Sequence, residues 1–417
     1  MARWDEESSD RNPPIDVWHH VRVALTFGGA LAILWTLAQD PLWVENEYVD
    51  GWGGTLAAGI GAVTGLLPFS VAEIWLGLIV VWTVVVVLKG LGSMWRGRSI
   101  GNMLLQGLLN TLDVTLVLLT WFYLAWGVAY ARPAVADRLG LTVAGPSVAP
   151  DAAEKETLER LLRIAVTRVN TTYTEIHGSQ DGGEVTVPDK ELDVDAAIER
   201  GYDRVGAVMG FPQWFRDPHP PVKRPFASVL MSRVGVAGIY VPFTGEATVD
   251  AAAPAWSRVF TAAHEKAHQR MIAPENEANF FGFLACVHAD EAVVRYGGWQ
   301  FARGQLFAAL YGLDADAATA LNDDLGPGPK RDVAEVSLFW QTYEGPLRDF
   351  QTALNDLYLK SNHVEGGIQA YSYSVRLLEV WFDTAHGKVL LSGERPSAPA
   401  EPKLEDKAED KPVEKGN

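Results

Sequence analysis

Three long apolar runs in the first third of the chain limit what it can fold into more than any other feature. They lie at about 21–38, 73–90 and 111–130 and carry almost no charge; Arg22, Glu73 and Asp113 sit near their edges. Each is close to the roughly 20 residues needed to cross the hydrocarbon core of a bilayer. Core helices of a soluble protein rarely stay so free of charge, so these runs predict membrane spans. The first is expected to be an uncleaved anchor. No small-residue cleavage site follows it, and the next residues, Pro41, Leu42, Trp43 and Val44, are bulky.

The loops give an orientation. The loop between the first two runs has no Lys or Arg and carries Asp40, Glu45, Glu47 and Asp50. The loop between the second and third carries Lys89, Arg96 and Arg98, and the N-terminus carries Arg3 and Arg11. Positive charge stays on the cytoplasmic side. The sequence therefore predicts a multi-pass protein of the cytoplasmic (inner) membrane, embedded in its lipid bilayer, with everything beyond about Arg132 extracytoplasmic. Residues 51–68 are rich in Gly, Ala and Leu and predict an interfacial or short re-entrant helix.

The remaining length, out of 417 residues, is enough for a separate soluble domain. A membrane region at 1–131 is expected to lead through a Pro/Gly-containing linker at 132–150 to a domain at 151–391. Asp151 is a candidate helix cap, with Glu154 three residues on. Leu158, Leu161, Leu162, Ala165 and Val169 then form an apolar stripe. A second helix is expected at 193–205. Residues 226–249 are β-branched and aromatic between turn signals, and Pro242 marks the strand there as an edge. From Trp256 to about Asp383 the pattern is helical. Residues 392–417 are Pro, Lys, Glu and Ala without periodicity, the composition of a disordered tail. The expected fold is thus three transmembrane helices plus an α+β, mostly helical domain with a small sheet.

The net charge of −17 comes without any clustered basic face, which excludes a nucleic-acid partner. The single cysteine, Cys286, excludes an intrachain disulfide and a multi-cysteine zinc site; in its apolar setting it reads as a small buried hydrophobe.

One segment carries chemistry: His264-Glu265-Lys266-Ala267-His268. On a helix, residues four apart share a face, so the two imidazoles can share one metal ion. Glu265 lies beside them, where a carboxylate can act as general base on a metal-bound water. This HExxH spacing is the zincin arrangement and implies Zn2+. Zinc needs a third protein ligand. Pro274 suits the first turn of a new helix, and it puts Glu275 and Asn279 one turn apart on one face. Glu275 is then the third ligand and Asn279 a hydrogen-bond partner for a ligand histidine; Glu277 is the alternative ligand. Tyr371 and Tyr373 are candidate donors to an oxyanion. The edge strand within 238–248 can bind an extended peptide by strand addition.

These residues resemble a known pattern. Glu275-x-x-Ala278-Asn279 after the HExxH segment is similar to the E-x-x-A-D second motif of gluzincin peptidases, including the membrane-bound CAAX-processing and heat-shock-type enzymes. Asn279 stands where those enzymes carry aspartate; an amide oxygen also accepts from an imidazole N–H. More broadly the chain resembles an uncharacterised family of bacterial zinc-peptidase-like membrane proteins, a domain of unknown function. The shared segments are Pro68-Phe69-Ser70-Val71, Trp126-Gly127 through Arg132-Pro133, Gly238 to Glu246, His264 to Gln269, Glu275 to Asn279, and Tyr358 to Asn362 with Tyr371. The resemblance implies a gluzincin-like zinc metallopeptidase domain on a membrane anchor, hydrolysing a peptide or protein substrate outside the cytoplasm. The competing expectation is a zinc-stabilised, non-hydrolytic binding or scaffold module of the envelope. An intramembrane protease fits worse, since Lys266, Arg270 and the acidic residues around the motif are costly in lipid.

Overall fold

The computed structural model describes residues 15–95, 99–143, 152–186, 191–361 and 371–392. They are mostly helical, with a small two-stranded sheet. Three helices are long and apolar enough to cross a membrane: α1 (Val17–Leu37), α3 (Val71–Trp95) and α4 (Ile100–Ala125), with the shorter α2 (Gly53–Gly65) between the first two. On α3, Val80, Val81, Trp82, Val84, Val86 and Val87 are all exposed. A helix that is apolar all round and still unburied is matched to lipid rather than water.

The third span is shifted from its expected place. It starts at Ile100 and stops at Ala125, where Trp126 leaves the helical region (φ −160°) and a tight turn, Gly127–Ala131, follows. A Cβ on Gly127 would lie 2.5 Å from the Phe122 ring, so the reversal requires glycine. Residues 127–129 are buried within the protein. The segment expected at the interface, 51–68, does contain a helix, but α2 packs on the rest of the chain. Its glycines permit this. A Cβ on Gly61 would sit 3.1 Å from the Gly245 carbonyl, and one on Gly65 would sit 2.8 Å from Pro220.

The stretch expected as a linker is also packed in its described part, 132–143. Arg132 makes a forked ion pair with Glu45 at 2.7 and 2.8 Å, and helix α5 (Val135–Arg138) buries Val135 and Ala136 in the main core. Residues 144–151, including the expected cap Asp151, lie outside the described residues, as does 393–417 of the expected tail.

Helix α6 (Ala152–His177) buries Leu158, Leu161, Leu162, Ala165 and Val169, the stripe read from the sequence. Helix α7 (Glu191–Met209) contains the expected second helix and extends it. The β-rich reading of 226–249 holds only for its second half. Residues Ser228–Val234 form helix α8 instead. Its start is set by a distant residue: the Glu73 carboxylate accepts the amides of Phe226 and Ala227 at 2.9 and 2.6 Å. Gly235, at φ +74°, ends it. Local β propensity loses to that tertiary cap.

The hairpin follows: β1 (Gly238–Val241) pairs antiparallel with β2 (Glu246–Val249), Tyr240 opposite Ala247. Lys223 bridges to the far side of β2, so β1 is the edge, as Pro242 implied. Helices α9 (Ala255–Gln269), α10 (Glu275–Val287) and α11 (Ala292–Leu313) then pack with α6 and α7 around Phe280, Phe281, Phe283, Leu284 and Tyr296. Each such side chain contributes about 1.5–3 kcal/mol when fully buried. Cys286 is among them, wholly buried, with its thiol pushed up by burial.

A second core joins the membrane region to this domain. Leu34 of α1, Tyr48, Val49, Ala57 of α2, Trp126 and Val128 pack with Tyr240 of β1 and with Met271 and Ala273 beyond α9. Thus the ends of the spans and the loop between α9 and α10 share one apolar cluster.

Candidate metal centre

Helix α9 enters the core and carries its last two turns, His264 to Gln269, into the wall of a cleft. Its approach to β1 is close enough to require Gly238: a Cβ there would lie 2.6 Å from Thr261 Cγ2 and 2.7 Å from Glu265 Oε1. Helix α10 comes back across α9 at Gly282, where a Cβ would be 3.0 Å from the His264 amide. The turn between them is tight, with Met271 in the left-handed region (φ +58°). For a residue with a β-carbon that conformation costs on the order of 1 kcal/mol. It is held by the Met271 carbonyl, which accepts from Arg132 at 3.0 Å, and by the fully buried Met271 side chain.

The turn brings three ligand-type side chains together. His264 Nε2 and His268 Nε2 are 3.2 Å apart, Glu275 Oε2 is 3.1 Å from the first, and Glu275 Oε1 is 3.7 Å from the second. Both histidines are held from behind. Asn279 Oδ1 lies 2.9 Å from His264 Nδ1, and the Ile272 carbonyl lies 2.6 Å from His268 Nδ1. With each Nδ1 as the donor, each Nε2 keeps its lone pair for the common point. Glu277 is placed elsewhere. Its carboxylate accepts from the Val135 amide at 2.7 Å and pairs with Arg138 at 3.1 Å. Pro274 stands one residue earlier than expected, at the cap of α10, with Glu275 opening the helix.

The donor set fits a zinc-type ion. Two imidazole nitrogens and one carboxylate, converging within zinc-ligand edge distances, are the His2Glu set of catalytic zinc sites, which keep one position open. Glu265 lies beside them, 4% exposed, and its Oε2 has no hydrogen-bond partner among the described residues. A buried carboxylate oxygen without a donor is costly unless a polar group meets it.

The charges respond accordingly. Burial pushes the Glu265 carboxyl up to about 8; Glu275 adds to this, while His264 and the Tyr240 amide offset part of it. Burial pushes His268 down to about 4, against the pull of Glu275. Burial also opposes a charged His264, but the hydrogen bond and charge of Glu275 outweigh it and raise its pKa to about 9. Glu275 is held down to about 2, because the two histidines overcome its burial. A positive charge among these three groups is therefore stabilised.

The cleft, about 610 Å3, is lined on one side by Gly238, Ile239 and Tyr240 of the edge strand and on another by Phe122 at the end of the third span and Trp126 and Tyr130 just beyond it. Trp126 donates its indole N–H to the His268 carbonyl at 3.1 Å. Gln351 and Thr352 of the helix Pro346–Ser361 close it from a third side. The two tyrosines expected near an oxyanion are not brought there by any described contact. Tyr373 is half-buried against the main core, its hydroxyl raised by burial and by Glu277. Tyr371 opens the helix Tyr371–Asp383, but its side chain lies outside the described residues.

Several supporting residues carried no signal in the sequence. Lys266 and Arg270, on the face of α9 away from the cleft, are fully buried. Lys266 Nζ lies 2.6 Å from Glu199 and 3.1 Å from Asp195 of α7, and Arg270 lies 2.5 Å from Glu199 and over the Tyr202 ring. The acids are four apart on an ordinary amphipathic helix, and nothing local marks them as buried. Glu246 of β2 is buried too. It accepts the Val71 and Ala72 amides at 2.9 and 2.6 Å, capping α3, and pairs with Lys223. A carboxylate at a helix N-terminus is favoured by the helix dipole.

Fold and site together define a mostly helical protein with three candidate membrane spans and a buried two-histidine, one-carboxylate cluster at their junction with the domain. Residues 48–379 match the model of a family described as a protein of unknown function, DUF3810, and the chain belongs to that family. No curated protein and no solved structure matches the chain.

Proposed function

We propose that the chain is a membrane-anchored zinc metallopeptidase. The observation that carries this reading is the convergence of His264, His268 and Glu275 on one point beside the buried Glu265 carboxylate, whose Oε2 has no hydrogen-bond partner among the described residues. His264 Nε2, His268 Nε2 and Glu275 would hold the ion, with Asn279 and the Ile272 carbonyl fixing the imidazoles. A zinc ion so held supplies an acidified water and a Lewis acid for a carbonyl oxygen.

The chain's own groups do the rest. Glu265 is raised by burial to about 8, close to the range in which a carboxylate can both take a proton and return it. It takes a proton from the attacking water and passes it to the leaving nitrogen. The edge of β1 supplies backbone groups to align an extended peptide across the cleft, which favours an amide substrate over other hydrolysable classes. The C-terminal ends of α1 and α4 and the N-terminal end of α3 all meet the domain, so the cleft sits on one side of the membrane plane. The loop charges favour the extracytoplasmic side for it.

A digest of a peptide library by the purified full-length protein tests the reading. Wild type cleaves and chelator stops it, while Glu265→Gln keeps its metal and does not cleave. Zinc bound without hydrolysis in the wild type contradicts it, and favours a non-hydrolytic binding module.

A further inference from the structure

A second cavity adjoins the metal cleft. It is an apolar groove of about 350 Å3 between α1, at Leu31, Leu34, Trp35 and Ala38, and the end of α4, at Tyr123, with the turn after it at Val128. Tyr130 lines both this groove and the cleft. The groove thus lies between the ends of two candidate spans and shares the Tyr130 wall with the cleft of the candidate metal centre.

Resting on the reading above, we propose that the site acts on the membrane-proximal stretch of a polypeptide anchored in the same bilayer, whose apolar anchor enters through this groove. Two features choose a polypeptide over a lipid. The edge of β1 lines the same cleft, and a strand edge is recognised by another backbone, for which an acyl chain has no groups. Tyr240 of that edge lies 5.5 Å, ring to ring, from Trp126. A chain laid along β1 therefore passes beside the Trp126–Tyr130 wall, which the cleft shares with the groove at Tyr130. The groove's lining fits the other half of such a substrate. It is apolar, flanked by the exposed Trp35, and set among residues that face lipid. A soluble peptide would leave it empty.

The test uses the full chain as Glu265→Gln in lipid vesicles, with a photo-crosslinking phenylalanine analogue in place of Trp35. The anchored probe is a randomised extended segment joined to an apolar helix of about 20 residues. The free probe is the same segment alone. The expected result is crosslinking of the anchored probe about tenfold above that seen with the analogue at Trp82, an exposed position on α3. Ala38→Trp, which fills the groove, should abolish the excess. Equal crosslinking at both positions, or crosslinking to phospholipid instead, overturns the proposal. In the wild-type background the anchored probe is cut and Ala38→Trp slows that cutting alone, leaving the free probe unchanged. If the crosslink forms but neither probe is cut, the groove stands and the peptidase reading falls.

Discussion

The indole N–H of Trp126, at the end of the third span, donates to the backbone carbonyl of His268 at 3.1 Å. One residue that closes a candidate membrane span thus holds the backbone of a candidate metal ligand. Trp126→Phe keeps the ring but removes the donor. One neutral hydrogen bond contributes about 1 kcal/mol, so metal affinity should fall about five- to tenfold with helix content unchanged. A competition titration against a zinc chelator measures this. An unchanged affinity would mean that the span does not position the site.

Gly238 gives a sharper separation of roles. Alanine there would press into Thr261 and Glu265 at 2.6 and 2.7 Å. The expected outcome is retained zinc with hydrolysis reduced at least about tenfold, because the displaced group is the proposed base and not a ligand. Full activity in Gly238→Ala would remove Glu265 from that role.

The buried network under α9 should act on stability rather than chemistry. Glu199→Gln leaves Lys266 and Arg270 with less than their countercharge, and breaking a buried pair costs about 3–5 kcal/mol. Thermal unfolding in detergent should show a large drop in Tm, equal in the metal-loaded and chelated protein. A loss confined to the loaded form would place Glu199 in the site instead.

Acid should unfold the domain in two stages. Burial lowers His219 to about 3, with the charge of Arg270 adding to it. A histidine with a depressed folded pKa binds fewer protons folded than unfolded, so its stability is full above about 6.5 and is lost as pH falls toward 3. Glu199, though buried, is held down to about 2 by Arg270 and Lys266. Its contribution is full above about 4.5 and fades as pH falls toward 2. His219→Gln should make the decline between pH 6.5 and 4.5 shallower, with His288, lowered to about 4 by burial, keeping part of it, and should leave the lower stage in place. Identical pH profiles for variant and wild type would contradict this.

How much of this was legible in the sequence depends on distance along the chain. His264, His268 and Glu265 are readable because helical spacing alone brings them to one face. Glu275 follows because Pro274 restarts the helix within a few residues. The spans are readable from apolar length, but the end of the third is not, since Trp126 leaves the helix to pack on Tyr240 and His268, over a hundred residues away. Residues 228–234 look like a strand until Glu73, on the candidate span α3, caps them as α8. Glu277 looked like a possible ligand until Val135 and Arg138, from the stretch expected as a linker, took its carboxylate. Where local pattern fails, a long-range polar partner decides.

The metal content of the purified full-length protein tests the central claim most directly. Elemental analysis should find one zinc per chain in the wild type and in Glu265→Gln, and almost none in His268→Ala or Glu275→Ala. A wild type without zinc, or equal zinc in all four proteins, would contradict the assignment of His264, His268 and Glu275 as its ligands.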